Sequence, residues 1–481
     1  MLELSISLLV IPVLWALAEW RLGLLLCLVT ALLQDPLRKL TPHQPVLFVV
    51  FVGVVFAGMC VGALARGIPL NSNGIFRRYP QFARPFSLLL FLLVIQAFNS
   101  YLHFENPIIT LAGLAAYLLP LPSIVCAYQL VSYQGAFRIN QFLKWYIVCI
   151  AIALTTIYLE YSGYDWPVLG TINTKLIVFD AVTGQILPSF TGIFRAPEIA
   201  AWHAMAAACF VLLMVLLRGI TVTRLLTALA IAALLIGLGL LAGRRKIVIE
   251  FAVFVSTYFI LWAIFERGVG KLGIIACTGA ALVGYTWLAT GMREEVKERN
   301  NTELTDYSRY VAHSENAFQE VPSRFVELGI APVMWAYDRY GLFGAGLGVG
   351  TQGTQYFGGG GGGAAEGGLG KITLELGVPG LFVLGWIAIA TFRKLWQIMR
   401  FASRYSRRIA RLSFGFVSFL VANVAGFSVA TQAYGDMFIL LILSWTMGFL
   451  VAVPILVERE MRARHLAGSE ELARGFRPRT V

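Results

Sequence analysis

The sequence predicts an all-α, polytopic integral membrane protein, with about twelve transmembrane helices and one large extracytoplasmic loop. Three observations predict it. The chain carries too little charge to cover a surface in water, its apolar runs recur at bilayer length, and its cations crowd into a few short segments.

Charged residues make up 13% of 481 positions and hydrophobic residues 58%, with a mean hydropathy of +0.74. A soluble domain is about 25% charged. In lipid the shortage is harmless, because helical spans satisfy their own backbone groups. Crossing the hydrocarbon core takes roughly 20 residues. Runs of that kind lie at about 45–66, 85–101, 108–131, 143–161, 196–218, 222–243, 247–264, 272–290, 372–391, 410–430 and 435–456. The N-terminal stretch 4–34 is interrupted by Glu19-Trp20-Arg21, so it is either two short spans in a tight hairpin or one long bent segment. The opening Met-Leu-Glu-Leu has no basic n-region and no clear cleavage site follows, which argues against a cleaved signal peptide.

The net charge of +12 does not point to nucleic acid once the charges are placed. Arg393, Lys394, Arg400, Arg404, Arg407, Arg408 and Arg411 share one short loop, and Arg77, Arg78 and Arg84 another. Arg459, Arg462, Arg464, Arg474, Arg477 and Arg479 follow in the tail. By the positive-inside rule these segments face the cytoplasm. Cys27, Cys60, Cys126, Cys149, Cys209 and Cys277 lie in or near apolar spans, as small packing residues rather than a disulfide or metal framework.

With 392–411 anchored inside, alternation puts 162–195, the turn at 243–246 and the long segment 291–370 outside. Two places break the rule: Arg38/Lys39 and Arg244-Arg245-Lys246. The second has two readings, snorkelling to lipid headgroups or an anion site. Glu250 stands one helical turn after Lys246, in position to orient one of these cations, and a carboxylate inside a span is costly unless paired or functional. The expected organisation is a membrane domain over 1–290, an extracytoplasmic loop over 291–370, the last spans over 371–456 and a basic cytoplasmic tail over 457–481.

The outer segments hold the candidate residues. Arg195, Glu198 and His203 stand at the mouth of a span; Glu198 also suits a helix's first turn, and His203 reads first as a packed core histidine. In the long loop, a charged and partly helical half from Met292 to about Arg339 contains Arg324. The series Gly341 to Thr351 follows, in which glycines let backbone amides approach a ligand closely. It lacks the βαβ context of a nucleotide fingerprint. After the run Gly358 to Gly363 come Glu366 and, at the mouth of the next span, Glu375, which reads as fixing a helix start through backbone amides. No DxD, HExxH or Cys/His cluster has metal-ligand spacing, so neither a metal nor a cofactor is expected.

Four segments, taken in order, resemble the O-antigen ligase and Wzy-type O-antigen polymerase superfamily. They are Gly192 to Ala200, Gly243-Arg244-Arg245, Arg324 followed by Gly344-Ala-Gly-Leu-Gly348, and the closing Glu375-Leu-Gly-Val-Pro-Gly380. The resemblance covers roughly residues 190–390 and rests on order and topology; the N-terminal third adds only hydropathy. It departs at one point: the family usually carries a His-Asn pair about nine residues before the closing Glu, and here Glu366-Gly367 takes that place. Either Glu366 substitutes as the base, or the chain belongs to a branch with different chemistry.

The resemblance implies a GT-C-like membrane glycosyltransferase in the bacterial inner membrane, acting on undecaprenyl-diphosphate-linked glycan at the outer face. Its partners would be that glycan, membrane lipids, and a flippase and chain-length regulator of the same pathway. Arginine suits a diphosphate leaving group because it bonds phosphate oxygens bidentately and stays protonated. On this reading Arg324 and one of Arg244 or Arg245 clamp the diphosphate, Arg195 lies nearby, Glu366 takes the acceptor's proton, and Glu198, His203, Glu250 and Glu375 support the site. A ligase delivering glycan to lipid A core or protein is the competing enzyme. A flippase or transporter is the reading from another class, although no internal repeat is evident.

Overall fold

A computed structural model describes residues 2–70, 73–172, 178–179, 186–218, 221–266, 279, 307–351 and 367–475. Among them, eleven helices are long and apolar enough to cross a membrane, and Ile6–Ala18 is a shorter apolar one. The expected span at 272–290 falls almost wholly outside the described residues, as does the run Gly358 to Gly363.

The N-terminus is a hairpin. Helix α1 (Leu2–Ala18) turns through a 3-10 segment at Trp20–Leu22 into α2 (Gly23–Leu40). Helix α3 (Phe51–Leu64) closes against both. Gly58 and Gly62 stand one turn apart, and a Cβ on either would meet the α1 backbone, at 3.1 Å from Val13 O and 2.6 Å from Leu17 O. Small residues at this spacing allow close helix packing where no water drives association. A short helix α4 (Asn73–Arg78) precedes α5 (Ala83–Phe104).

The run at 108–131 is one span in two pieces, α6 (Pro107–Leu118) and α7 (Pro120–Gln134). Pro120 lacks an N–H and its ring crowds the preceding turn, which breaks the helix there. Helix α8 (Ala136–Tyr161) leads to a loop with a small antiparallel pair, β1 (Val178–Phe179) and β2 (Ile186–Leu187), which the sequence pattern did not predict. Then come α9 (Pro197–Arg218), α10 (Val222–Leu240) and α11 (Lys246–Phe265). Within the apolar window of the α9 span 89% of residues are buried, against 28% for α10, so α9 is the centre of the bundle. Ala200, Ala201, Ala204, Ala206, Ala207 and Ala208 keep it slim enough for α8, α10, α11 and α16 (Arg407–Val429) to surround it.

The long loop is folded where described. Helix α12 (Tyr307–Gln319), a short α13 (Val321–Arg324), a π-helical turn (Phe325–Ile330) and α14 (Ala331–Tyr340) run almost without interruption. The glycine series after them does not open toward a ligand; it packs against the bundle. A Cβ at Gly344 would sit 2.6 Å from Leu374 O, at Gly346 2.4 Å from Ser100 N, and at Gly348 2.0 Å from Ile109 O. All three have positive φ, which glycine adopts without strain. The series therefore explains a backbone-to-helix approach, which corrects the expectation of a backbone-to-ligand one.

That approach answers a break in the next helix. Helix α15 (Gly368–Tyr405) is interrupted at Gly377 (φ 70°, ψ −173°), just before Pro379. Its freed groups find partners: Ala345 N donates to Leu374 O at 2.7 Å and Val378 N to Leu342 O at 2.9 Å. Backbone groups at membrane depth must be satisfied in this way. The last helix, α17 (Met437–Gly475), packs along α7 and continues into the basic tail without a break.

Side-chain contacts sort the segments into two ends. At one, Arg78 pairs with Glu458 at 2.5 Å, Arg411 with Glu266 at 2.9 Å, Ser406 donates to Glu460 at 2.6 Å, and Arg459 reaches Ser132 O. At the other, Lys39 meets the loop before α9, Tyr310 OH donates to Pro188 O at 3.0 Å, and Arg245 meets Glu320. The first end gathers the segments that the sequence assigns to the cytoplasm, and the second those it assigns outside.

We expect Gly348→Ala to lower the melting temperature in detergent by several degrees more than Gly341→Ala. Both replace a positive-φ glycine, but a Cβ at Gly341 meets nothing within 4 Å. Left-handed backbone alone costs about 1–2 kcal/mol; the clash adds to it only at Gly348. Equal losses would mean that the glycine series does not pack as described.

Candidate functional site

The end opposite the basic loops concentrates charged side chains at the mouths of α2, α9, α11, α15 and α17. One largely buried group is an ion triad. Arg195 Nη1 lies 3.2 Å from Asp35 Oδ1 and Nη2 lies 2.5 Å from Asp436 Oδ2, while its backbone N donates to Asp35 Oδ2 at 3.0 Å. Burial alone would push this guanidinium down, but Asp35 and Asp436 hold it above the ordinary arginine range. Asp436 also accepts from Ile439 N at 2.9 Å, capping α17.

The same loop is tied twice more. Lys39 Nζ donates to Val168 O, Gly192 O and Phe194 O at 3.0, 2.8 and 2.8 Å. Glu160 Oε2 accepts from Thr191 N and Gly192 N at 2.8 and 2.7 Å. Gly192 itself has positive φ, and its missing side chain leaves room for Thr156, whose Oγ1 lies 2.2 Å from where a Cβ would be. Two cations against three carboxylates leave this corner net negative, so Arg195 does not suit a diphosphate ligand. Its place in the expected clamp is taken by structure.

His203 lies one and a half turns into α9, 3% exposed, its Nδ1 2.8 Å from Tyr146 OH and its ring among Phe194, Trp202 and Phe438. It is a packed histidine. Glu375 is 0% exposed and fully engaged, accepting from Tyr117 OH at 2.8 Å, Gly350 N at 3.0 Å and Thr351 Oγ1 at 2.9 Å. It locks the glycine series onto the start of α15 and uses a backbone amide to do so.

The turn between α10 and α11 presents its arginines differently. Arg244 Nη2 lies 2.5 Å from Glu198 Oε1 in the first turn of α9. Arg245 forms a two-pronged pair with Glu320, at 3.0 and 2.5 Å. Glu320 Oε2 also accepts from Arg324 Nε at 3.1 Å. One carboxylate thus joins two guanidiniums that are 79 positions apart in sequence (324 less 245). Glu320 is the residue that sequence reading missed, because one acid in a charged amphipathic segment carries no signal. Partial burial alone would raise its carboxyl, but the hydrogen bonds and charges of Arg245 and Arg324 hold it below the ordinary value of 4.5. Arg324 Nη1 also lies 4.0 Å from Glu327 Oε2, so two guanidiniums meet two carboxylates here, and the Arg324 side chain is 47% exposed.

Glu250, 1% exposed, faces Gly426 across α16: a Cβ on that glycine would sit 2.0 Å from Glu250 Oε1. It is one turn from Lys246, as expected, but neither oxygen has a hydrogen-bond partner among the described residues. Glu366 lies outside the described residues. Gly367, its successor, backs onto Leu328 O in the π-helical turn that begins after Arg324, and π-turns often accompany functional sites. Among the described residues, no group of three His, Cys, Asp or Glu side chains is placed to hold a metal ion.

No protein-family model matches the chain, and no curated protein matches it.

The two kinds of arginine should separate on substitution. Arg195→Ala leaves Asp35 and Asp436 buried without a counter-charge and should cost on the order of 3 kcal/mol of stability, seen as lost membrane abundance and a lower melting temperature. Arg324→Ala breaks a half-exposed pair, worth under about 1 kcal/mol, and should leave both unchanged. Equal tolerance of the two substitutions would show that the triad does not hold the loop.

Proposed function

We propose that the chain is a metal-independent membrane glycosyltransferase that acts on a glycan carried by a lipid diphosphate, at the end opposite its basic loops. The observation that carries this reading is the Arg245–Glu320–Arg324 trio, in which two arginines converge on one oxyanion at the membrane surface. A phosphate oxygen pair has the same geometry and more charge than the Glu320 carboxylate, so it can take that carboxylate's place. The resemblance to O-antigen ligases and Wzy-type polymerases supplies the chemistry. In it the acceptor hydroxyl attacks the anomeric carbon, the bond from that carbon to the phosphate oxygen breaks, and the diphosphate leaves with the electron pair. Glu366 accepts the hydroxyl proton, and the anomeric configuration inverts. Arg245 and Arg324 meet the charge as it develops on the leaving group, where fixed donors count most.

Among the two enzymatic forms we favour the polymerase, working on undecaprenyl-diphosphate-linked repeat units at the outer face of a bacterial inner membrane. The long glycine-rich outer segment suits a growing chain. The ligase is the alternative. A transporter fits less well, since the charged candidates gather at one face instead of the midplane.

Purified protein in detergent should convert a lipid-linked glycan with no second compartment present; a transporter would not. Arg324→Ala and Arg245→Ala should each reduce conversion by about 10²–10³-fold at normal abundance, and near-normal product would remove that arginine from the mechanism. In cells lacking the protein, single repeat units left on carrier or acceptor would indicate a polymerase. Full-length chains stranded on the carrier would indicate a ligase, and an unchanged pattern would sink the surface-glycan reading.

The trio also predicts a pH dependence. The folded state holds the Glu320 carboxyl below 4.5, so its hold on both arginines is complete above that value and is lost as the pH falls beneath it. Glu320→Gln should therefore bind inorganic pyrophosphate several-fold more tightly than wild type at pH 7. That advantage should disappear only once the wild-type carboxyl protonates, which its arginine partners push to a pH lower than the ordinary 4.5. No advantage at pH 7 would mean that Glu320 does not occupy the anion position.

A further inference from the structure

The basic end holds a cavity of about 340 Å³ lined by Gln81, Trp386, Ile389, Ala390, Arg393, Lys394 and Gln397. All but Gln81 belong to α15, and Gln81 comes from the 3-10 turn Pro80–Phe82 that precedes α5. Two cations and two amides line this space and no carboxylate does. That distinguishes it from the opposite end, where Arg195, Arg244, Arg245 and Arg324 each face an acid. The nearby Arg78 is already paired with Glu458. Lys394 Nζ lies 4.7 Å above the Tyr79 ring and donates to Gln397 Oε1 at 3.2 Å, so the ring and the amide fix the ammonium while leaving its charge uncompensated by any lining residue.

The same helix supplies the other half of an amphiphile's site. Phe382, Trp386 and Ile389 are exposed at 76%, 47% and 55%, at spacings of four and three residues, and Arg393 follows four residues later. These positions form one face of α15, apolar toward the membrane interior and cationic at its end. A tryptophan just inside a pair of cations is the arrangement that seats the boundary between headgroup and acyl chain.

We propose that this cavity binds one anionic phospholipid, its phosphate between Arg393 and Lys394 and its acyl chains along Trp386, Ile389 and Phe382. Gln81 and Gln397 donate to phosphate or glycerol oxygens. The proposal does not depend on the glycosyltransferase reading. The occupant is a lipid because the apolar stripe continues the cationic one; a free phosphate would use only the end of it.

The test is native mass spectrometry of the full-length protein, delipidated in detergent and then titrated with phosphatidylglycerol or phosphatidylcholine. We expect one phosphatidylglycerol to be retained in preference to phosphatidylcholine. Arg393→Gln with Lys394→Gln should weaken it about thirtyfold, two cations being lost at the headgroup. Arg400→Gln with Arg404→Gln, exposed cations farther along α15, should leave it unchanged. Trp386→Ala should weaken lipid retention without creating affinity for inorganic phosphate. Since Lys394 also packs on Tyr79, the exposed Arg393→Gln alone serves as the variant that keeps the fold. Equal retention of the two lipids, equal loss in both double variants, or displacement of the lipid by millimolar inorganic phosphate would each overturn the site.

Discussion

A single guanidinium sets the geometry of the end opposite the basic loops. Arg195 is held by Asp35 from α2 and by Asp436 from the mouth of α17, helices that are some 400 residues apart in the chain. Burying one of these charges alone would cost several kcal/mol, so each requires the others. With Lys39 and Glu160 seizing the carbonyls and amides of the same loop, the chain entering α9 is fixed from three sides. Helix α9 is the centre of the bundle. The position of Glu198 at its first turn, and through Glu198 of Arg244, follows from that fixed entry.

Charge counting then separates structural arginines from available ones. Arg195 is outnumbered by carboxylates and nearly buried. Arg245 and Arg324 share Glu320, and Glu327 stands 4.0 Å from Arg324, so the charges balance there and Arg324 is half exposed. Only the second arrangement has no excess of carboxylates and a guanidinium open to solvent, so it opposes an incoming anion less. The glycine series and the Glu375 motif fall on the structural side as well. Both resolve a problem created by the break at Gly377, whose unpaired backbone must find partners inside the membrane.

The fold was largely legible in the sequence because hydropathy at bilayer length is a strong signal, and the helices recur close to the predicted runs. Glu19-Trp20-Arg21 marked the N-terminal turn correctly, though only the packing of α1 on α3 chose the hairpin over a bent helix. The site was less legible. Asp35, Lys39 and Asp436 act through partners more than a hundred positions away and Glu160 through partners 31 and 32 away, and a single charge at a span's end looks the same whether it snorkels or bonds. The glycines were read for the right property, close approach, and the wrong neighbour. Periodicity says that a backbone comes near something; it does not say what.

The two exceptions to the positive-inside pattern are resolved by the same distinction. Lys39 spends its three protons on three carbonyls, Arg38 donates to Gln44 O at 2.8 Å, and Arg244 and Arg245 face Glu198 and Glu320. These cations belong to the end opposite the basic loops and are held by its own acceptors. The cations of the 392–411 segment include Arg393 and Lys394, which line a cavity with no acid in it. What differs between the ends is therefore less the number of cations than what answers them. At one end protein carboxylates and carbonyls answer, and at the other the residues lining the cavity supply no acid. A cation that has a partner in the chain can be read as architecture. One that faces an acid-free cavity, or shares its acid with a second cation, is where an external anion has something to gain.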